Sequence, residues 1–542
     1  MQPHEARQAK RIRIFASLVA AALLVGFALP AQAKTFRWAF QGDPVSMDPY
    51  TINETLTLGF LGNIYEGLVR RGKELEIQPG LATEWSTPAP DVWRFKLRAG
   101  VKFHDGTPFT ADDVIFSWQR ARHEDSDVKA FVAGIKEIKK IDDLTIDVVT
   151  KGPRPILTSE ISLWYIMSKS WSEKHGTTTP ASMKTEQEGY ATRHANGTGP
   201  FILKSREPDV KTVLVPNPNW WDERTDNVTE AVFTPIKSAA TRVASFLSGE
   251  LEMMYPVPIQ DIDRVKRAAG LRTLQGPEAR TIFLGLDVWR DELLYSSVKG
   301  KNPLKDVRVR KAFYQAIDIE AIKKKVMRGA SWPTGLMIGR VINGFDEELN
   351  QRFPYDPATA KSLLSEAGYP DGFEIVLDCP NDRYVNDESI CQAVAAMLAR
   401  VNVKVKLNAQ TKAKHFAKIQ ALDTSFFLLG WTPATFDFHN VFYNNVMTRY
   451  DKLEGKEPQP GQGQWNCGGY SNPKVDALID QVASEIDPNR RQDLIKQAMK
   501  IHKDEVGHIP LHQQPLSWGV KESVELHQSA DNTFSLRWVR IN

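Results

Sequence analysis

Two rhythms of apolar residues alternate along the chain, one of period two and one near 3.6, and together they predict an α/β protein. The helices announce themselves through their caps. Asp356-Pro357 precedes Ala360, Leu363, Leu364 and Ala367, with Gly368 behind them. That is an N-cap, a proline at the first helical position, an apolar stripe and a glycine stop. Asn472-Pro473 opens a similar helix carrying Val475, Leu478, Ile479 and Val482, and Asp487-Pro488 another carrying Leu494, Ile495, Ala498 and Ile501. Asp306 and Asp318 read as caps as well, the second for a helix running toward Gly329. Between the helices, Phe36–Phe40, Thr281–Val288, Phe373–Asp378 and Val403–Leu407 read as strands. Ser425–Gly430 is a mostly apolar run, as in a strand covered on both faces. Phe373–Leu407 therefore predicts strand–helix–strand, the crossover unit of a mostly parallel sheet, and such sheets take ligands at the carboxyl ends of their strands. No internal repeat points to a solenoid or propeller.

The first 33 residues break this rhythm. Arg7, Lys10, Arg11 and Arg13 form a basic leader, Ile14 to Pro30 carry no charge, and Ala31-Gln32-Ala33 supplies a small-x-small cleavage pattern. The apolar run is short of the about 20 residues of a membrane span, which favours a signal peptide cleaved after Ala33 over an uncleaved anchor. No cysteine stands at the cleavage point, which predicts no lipid anchor, and the leader lacks adjacent arginines, which favours Sec export. The whole chain has 69 Lys+Arg against 66 Asp+Glu, and removing the leader leaves 65 of each. A neutral chain argues against nucleic acid as a partner. About 500 mature residues exceed one ordinary core and predict two or more lobes.

Motifs for catalysis are sparse. The chain has no Gly-x-Ser-x-Gly elbow, no Ser-x-x-Lys set and no metalloprotease helix. A secreted hydrolase stays as the alternative class, because paired carboxylates need not be close in sequence. His502, Glu505, His508 and His512 invite a metal reading, but the spacing is not His-Glu-x-x-His and Pro510 interrupts any helix that would carry all four, so no metal or cofactor is expected. Of the three cysteines, Cys379 and Cys391 are the pair that a strand end and a nearby helix bring together in an exported protein; three free buried thiols are the other reading.

Val92 to Arg122, VWRFKLRAGVKFHDGTPFTADDVIFSWQRAR, is the most informative stretch. Val92–Leu97 alternates as a strand, Val101–Phe103 returns, His104-Asp105-Gly106 turns, and Thr110 with Asp113 forms a capping box. The string resembles the signature of the bacterial extracellular solute-binding proteins of the dipeptide/oligopeptide family, family 5. Further blocks follow in that family's order: GLATEWS (Gly80–Ser86), GTGPFIL (Gly197–Leu203), NPNWW (Asn217–Trp221), FLSGELEM (Phe246–Met253), DVRVRKAFYQAID (Asp306–Asp318), LLGW (Leu428–Trp431) and GGYSNPKVDALI (Gly468–Ile479).

The resemblance implies a two-lobed periplasmic-binding-protein fold, type II, with a ligand cleft between the lobes. Lobe one would comprise residues 34–281 and 510–542, with an inserted subdomain near 78–194; lobe two would cover 282–509, with hinges near Leu284–Val288 and Pro510–Gln514. It implies a periplasmic monomer that captures a peptide or peptide-like carboxylate for an ABC permease; its ATPase would be a separate protein, and a chemoreceptor is a further partner to consider. Opines, nickel complexes, glutathione and sugar derivatives are alternative ligands within the family. Arg383 would hold the ligand's carboxylate as dipeptide-binding relatives do, the alternative being a loop arginine paired with Asp382 or Asp387. Trp431 would line the cleft, against a place in the core. Where peptide-binding relatives place an aspartate for the ligand's ammonium, this chain has Ala434; Asp437 is the nearest acid, either a shifted ligand group or a loop cap.

Overall fold

A computed structural model describes residues 34–181, 188–449 and 462–542; the leader and its cleavage point fall outside them. The caps behave as their sequences demand. Asp356, Asn472 and Asp487 each accept backbone N–H groups of the first turn, with proline at the first helical position, opening Pro357–Glu366, Pro473–Ser484 and Pro488–Asp504. Thr110 and Asp113 close the capping box of Ala111–Ala121. Asp318 caps a short turn that continues as a π-helix, Ile322–Val326, ending before Gly329 at φ +83°.

Strands lie where the alternation put them, with two exceptions. Val101–Phe103 makes no strand: only Lys102 bridges to Pro108 across the His104-Asp105-Gly106 turn. The strand expected from Thr281 begins ten residues earlier and runs Leu271–Leu286. It lies antiparallel to a second long strand, His508–Lys521, which the residues from His502 to His512 had not suggested. These two strands cross between the lobes. One mixed sheet runs through both lobes in the order Lys404–Gln410, Glu374–Pro380, Phe426–Trp431, Leu271–Leu286, His508–Lys521, Met253–Met254, Thr35–Phe40, Glu230–Pro235, Lys211–Pro216 and Phe201–Glu207. The predicted crossover is present: Glu374–Pro380 pairs parallel with Lys404–Gln410, and Asp387–Ala399 connects them. A separate four-stranded antiparallel sheet, built between Ala82 and Thr150, packs on the lobe that holds Thr35–Phe40, the first lobe.

The crossing strands change neighbours midway. Leu271–Pro277 pairs with Pro515–Lys521 beside Met253–Met254, whereas Thr281–Leu286 pairs with His508–Gln513 on one edge and Phe426–Trp431 on the other. At the change, Pro277 stands opposite Pro515, and the register then shifts before Thr281. Proline has no N–H to give a ladder, so neither residue can donate there. The break precedes the expected Leu284–Val288 stretch, most of which lies in regular pairing.

The signature blocks are fastened to one another. His104 Nε2 lies 3.0 Å from the Gly199 carbonyl, and a side chain at Gly197 would strike the Ile64 carbonyl at 2.0 Å. Glu66 accepts from Thr198 Oγ1 (2.8 Å), Trp220 Nε1 (3.1 Å) and Trp221 Nε1 (2.8 Å), so that both tryptophans of NPNWW serve one buried carboxylate whose pKa burial raises. These residues hold the first lobe together.

The second crossing strand buries several polar side chains. His502 Nε2 lies 3.0 Å from His508 Nδ1, and both ring nitrogens of fully buried His512 lack a hydrogen-bond partner among the described residues. Burial, with Arg352 nearby, lowers the His512 pKa from 6.5 to about 3. The unfolded chain therefore takes up this proton first as pH falls. Stability that the neutral ring contributes is present above pH 6.5 and is lost progressively toward pH 3. His512→Leu should flatten the pH dependence of unfolding free energy by about 1.4 kcal/mol per pH unit between pH 6 and 4. Urea unfolding at the two pH values checks this, and equal slopes for the two proteins would contradict it.

Candidate functional site

The carboxyl end of Glu374–Pro380 leads into a loop whose shape is imposed from several sides. Asn381 N–H donates to the Gln410 carbonyl (2.9 Å), and Asp382 accepts from Lys412 N–H (2.5 Å). Buried Asp387 takes the N–H groups of Arg383 and Tyr384, both at 2.9 Å, which folds the loop back onto the start of its helix. Asn386 adopts the left-handed conformation at φ 56° and donates through its side chain to the Val326 carbonyl. Cys379 at the strand end and Cys391 in the helix are joined by a disulfide, which closes the segment covalently. Tyr384 is fixed by Gly430, whose N–H it accepts at 2.9 Å; a side chain at Gly430 would meet Ile282 at 2.6 Å and the Tyr384 ring at 2.8 Å.

Arg383 projects from this scaffold into a cavity of about 590 Å³ between the lobes. Glu54–Leu56, Tyr255 and Trp518 form the facing wall, and Glu278, Arg280 and Gln514 stand at the strand break. That volume suits a small ligand. The Arg383 guanidinium lies 5.2 Å from the Tyr384 ring centroid and makes no hydrogen bond or ion pair among the described residues. It does not pair with Asp382 or Asp387, whose carboxylates serve backbone N–H groups. Partial withdrawal from water at the cavity wall, and then the neighbouring Arg280, lower its pKa, although the side chain stays open to solvent through the cleft.

The other two expected residues are placed elsewhere. Trp431 donates its indole N–H to Asn440 (3.0 Å) and lies 5.8 Å from the Trp465 ring, outside the lining of the Arg383 cavity. Asp437 is a correction to the expectation of a ligand contact. It caps Phe438–Asn445, accepts from Asn343, and forms a bidentate pair with Arg491 at 2.7 and 2.9 Å, its side chain 1% exposed. A buried carboxylate already holding a guanidinium and two further donors has no capacity left for a ligand.

Glu278, Arg280 and Gln514 are among the cavity residues that the sequence reading does not find. Gln514 had been assigned only to a hinge, and the other two lie before the apolar run that marked the strand. Pro277 and Pro515 were the available signal, since prolines inside long strands mark breaks. His502 and His508 face each other rather than a ligand, and Glu505 accepts from Tyr470 and Asn472. Among the described residues, no group of His, Cys, Asp and Glu is arranged to hold a metal. A smaller cavity of about 110 Å³ lies within the first lobe, around Glu66 and Arg537.

Residues 76–451 match the family described as bacterial extracellular solute-binding proteins, family 5 Middle. The chain belongs to that family. Its members are solute-binding proteins, not enzymes, and an open cavity with an uncommitted guanidinium agrees with that chemistry. Among curated relatives, the family 5 chain is 26% identical to the dipeptide-binding protein of Escherichia coli K12 over 506 residues, 88% of this chain and 89% of the relative. It is 25% identical to the glutathione-binding protein GsiB of Salmonella typhimurium LT2 over 478 residues, 86% of each. Its fold is similar to that of HbpA2 from Haemophilus parasuis, with a TM-score of 0.79 at 23% identity, covering 94% of this chain and all of the other.

Removing Asp437 leaves Arg491 buried and unpaired, a change of the kind that costs about 3–5 kcal/mol. Asp437→Ala should therefore destabilise the protein on that scale in urea unfolding. Unchanged stability together with lost ligand binding would return Asp437 to the ligand.

Proposed function

We propose that this protein captures a peptide or peptide-like ligand bearing a carboxylate in the cavity between its lobes and delivers it to an ABC permease with a separate ATPase. The observation that carries the reading is Arg383, a guanidinium at a strand's carboxyl end that lies over the Tyr384 ring and makes no hydrogen bond or ion pair among the described residues. A planar guanidinium holds a carboxylate through two parallel charge-assisted bonds, and a fixed loop presents it so that binding costs side-chain freedom but little backbone freedom. The names of the relatives, one dipeptide-binding and one glutathione-binding, support the same class. Closure would bend the chain at the Pro277–Pro515 break, where the ladder is interrupted, and bring the first-lobe wall onto the ligand. The basic, then apolar leader supports export to the periplasm with cleavage after Ala33. The N-terminal residue of protein recovered from the periplasm should then be Lys34, and an intact leader there would refute the cleavage.

The binding test is thermal unfolding of ligand-stripped protein against free peptides, amidated peptides, opines, nickel chelates and oligosaccharides. A ligand at 100 times its dissociation constant stabilises the native state by about 2.7 kcal/mol. Stabilisation should be confined to compounds with a free carboxylate, and Arg383→Ala should weaken their binding by about 1.5–3 kcal/mol. Equal response to amidated peptides, or unchanged affinity in the variant, would overturn the role of Arg383.

A further inference from the structure

A second guanidinium stands in the same cavity. Arg280 lies in the segment Glu278–Arg280, between the paired residues Pro277 and Thr281 where the register shifts. Its Nε donates to Thr432 Oγ1 at 2.9 Å. Its Nη2 is 3.3 Å from Glu278 Oε1, longer than the about 2.7–2.9 Å of a close charge-assisted bond. Its Nη1 makes no hydrogen bond among the described residues, and the side chain is 15% exposed, held in place yet open to the cavity.

Each acid around the cavity has at least one partner, while Glu54 Oε1 and Asp382 Oδ2 accept no hydrogen bond among the described residues. Glu54 caps its own helix through Thr57 N–H (2.8 Å) and Thr57 Oγ1 (2.9 Å). Asp382 accepts from Lys412 N–H. Glu278 accepts from Gln514 Nε2 at 2.6 Å in addition to facing Arg280, and Gln514 Oε1 in turn accepts from Val385 N–H at 3.2 Å. What the cavity offers an acid group is therefore donor capacity on two arginines, beside the partly engaged carboxylates of Glu54 and Asp382.

From these contacts we infer that Arg280 is a specificity-determining residue, binding a second acid group of a ligand whose first is held by Arg383. The inference rests on the proposed binding of a peptide-like carboxylate and narrows it to dianionic members of that class. Binding would draw Arg280 from its loose contact with Glu278 toward the ligand. Glu278 keeps its Gln514 partner, so it is not left stranded. Because Gln514 also bonds Val385 N–H, the second acid site and the Arg383 loop are joined through one short hydrogen-bonded chain across the strand break.

Four probes test this by calorimetric titration: Ala-Glu, Ala-Gln, N-acetyl-Ala-Glu and N-acetyl-Ala-Gln. In the unmodified protein each Glu compound should bind about tenfold or more tighter than its Gln partner, the effect of one charged hydrogen bond. The Glu/Gln ratio should be about the same with and without the acetyl group, since Arg280 reads the side-chain acid and not the amine. Arg280→Gln should abolish the Glu/Gln ratio, Arg280→Lys should restore part of it, and Glu278→Gln should raise it by freeing Arg280. Melting curves show whether each variant is folded. A ratio near one in the unmodified protein, or a ratio that survives Arg280→Gln, would each overturn the inference while leaving the Arg383 reading in place. Binding of none of the four, or binding indifferent to Arg383→Ala, would instead remove the peptide-like reading on which it rests.

Discussion

Much depends on two prolines that face each other. A sheet that runs unbroken through two lobes would lock them into one rigid body, because every backbone donor in the shared strands would be satisfied by its neighbour. Pro277 opposite Pro515 removes two donors at one level of the ladder, and the shifted register beyond them keeps the pairing from resuming at once. The lobes stay covalently and topologically joined, yet, ahead of a second shift between Ile282 and Phe283, the pairing is interrupted at the prolines. That same place presents Glu278, Arg280 and Gln514 to the cavity, because a segment excluded from regular pairing has side chains that need not alternate into the sheet's faces.

The neighbouring loop shows the opposite treatment. Asp387 gathers two N–H groups, the disulfide joins strand to helix, and Gly430 leaves room for the Tyr384 ring, so residues 381–386 have little freedom left. A disulfide closing so short a loop contributes about 3 kcal/mol when strain is small. Such rigidity suits a recognition group. A long arginine side chain loses much rotamer entropy on binding, and fixing the backbone beneath it confines the loss to the side chain itself.

Local chemistry was legible in the sequence and long-range chemistry was not. The Asp-Pro and Asn-Pro caps, the capping box and the strand–helix–strand unit each depend on residues within a few positions, and each stands where it was expected. Both crossing strands defeated the same reasoning. Leu271–Leu286 is interrupted by Gly276, Pro277 and Glu278, while His508–Lys521 carries histidines, glutamines and prolines in positions that are almost all buried. Period-two alternation identifies a strand with one wet face, and a strand enclosed on both faces between two lobes has none. Asp437 failed for a related reason. Its partner Arg491 lies 54 positions away on another helix, and nothing near either residue announces the pair. Arg383 was placed correctly in the cavity because its position follows from chain direction alone, at the carboxyl end of a parallel strand.

On the proposed reading, affinity and closure have separate structural sources. A ligand shifts the population of closed protein only through contacts that differ between the two states. Arg383 and Arg280 lie on the second lobe and at the break, so a ligand bound to them gains those bonds whether or not the lobes have met. The first-lobe wall is different. Its Phe40 and Tyr255 rings are 4.6 Å apart and its Tyr255 and Trp518 rings 5.3 Å apart, an aromatic surface already packed against itself. That surface lines the same cavity as both arginines, and bending at the break would change its distance from a ligand held on the other lobe. The guanidiniums would then decide which molecules are retained, and the aromatic wall would decide how strongly a retained molecule favours the closed form. Selectivity and signalling to the permease could therefore change independently in relatives that keep the same break between the lobes.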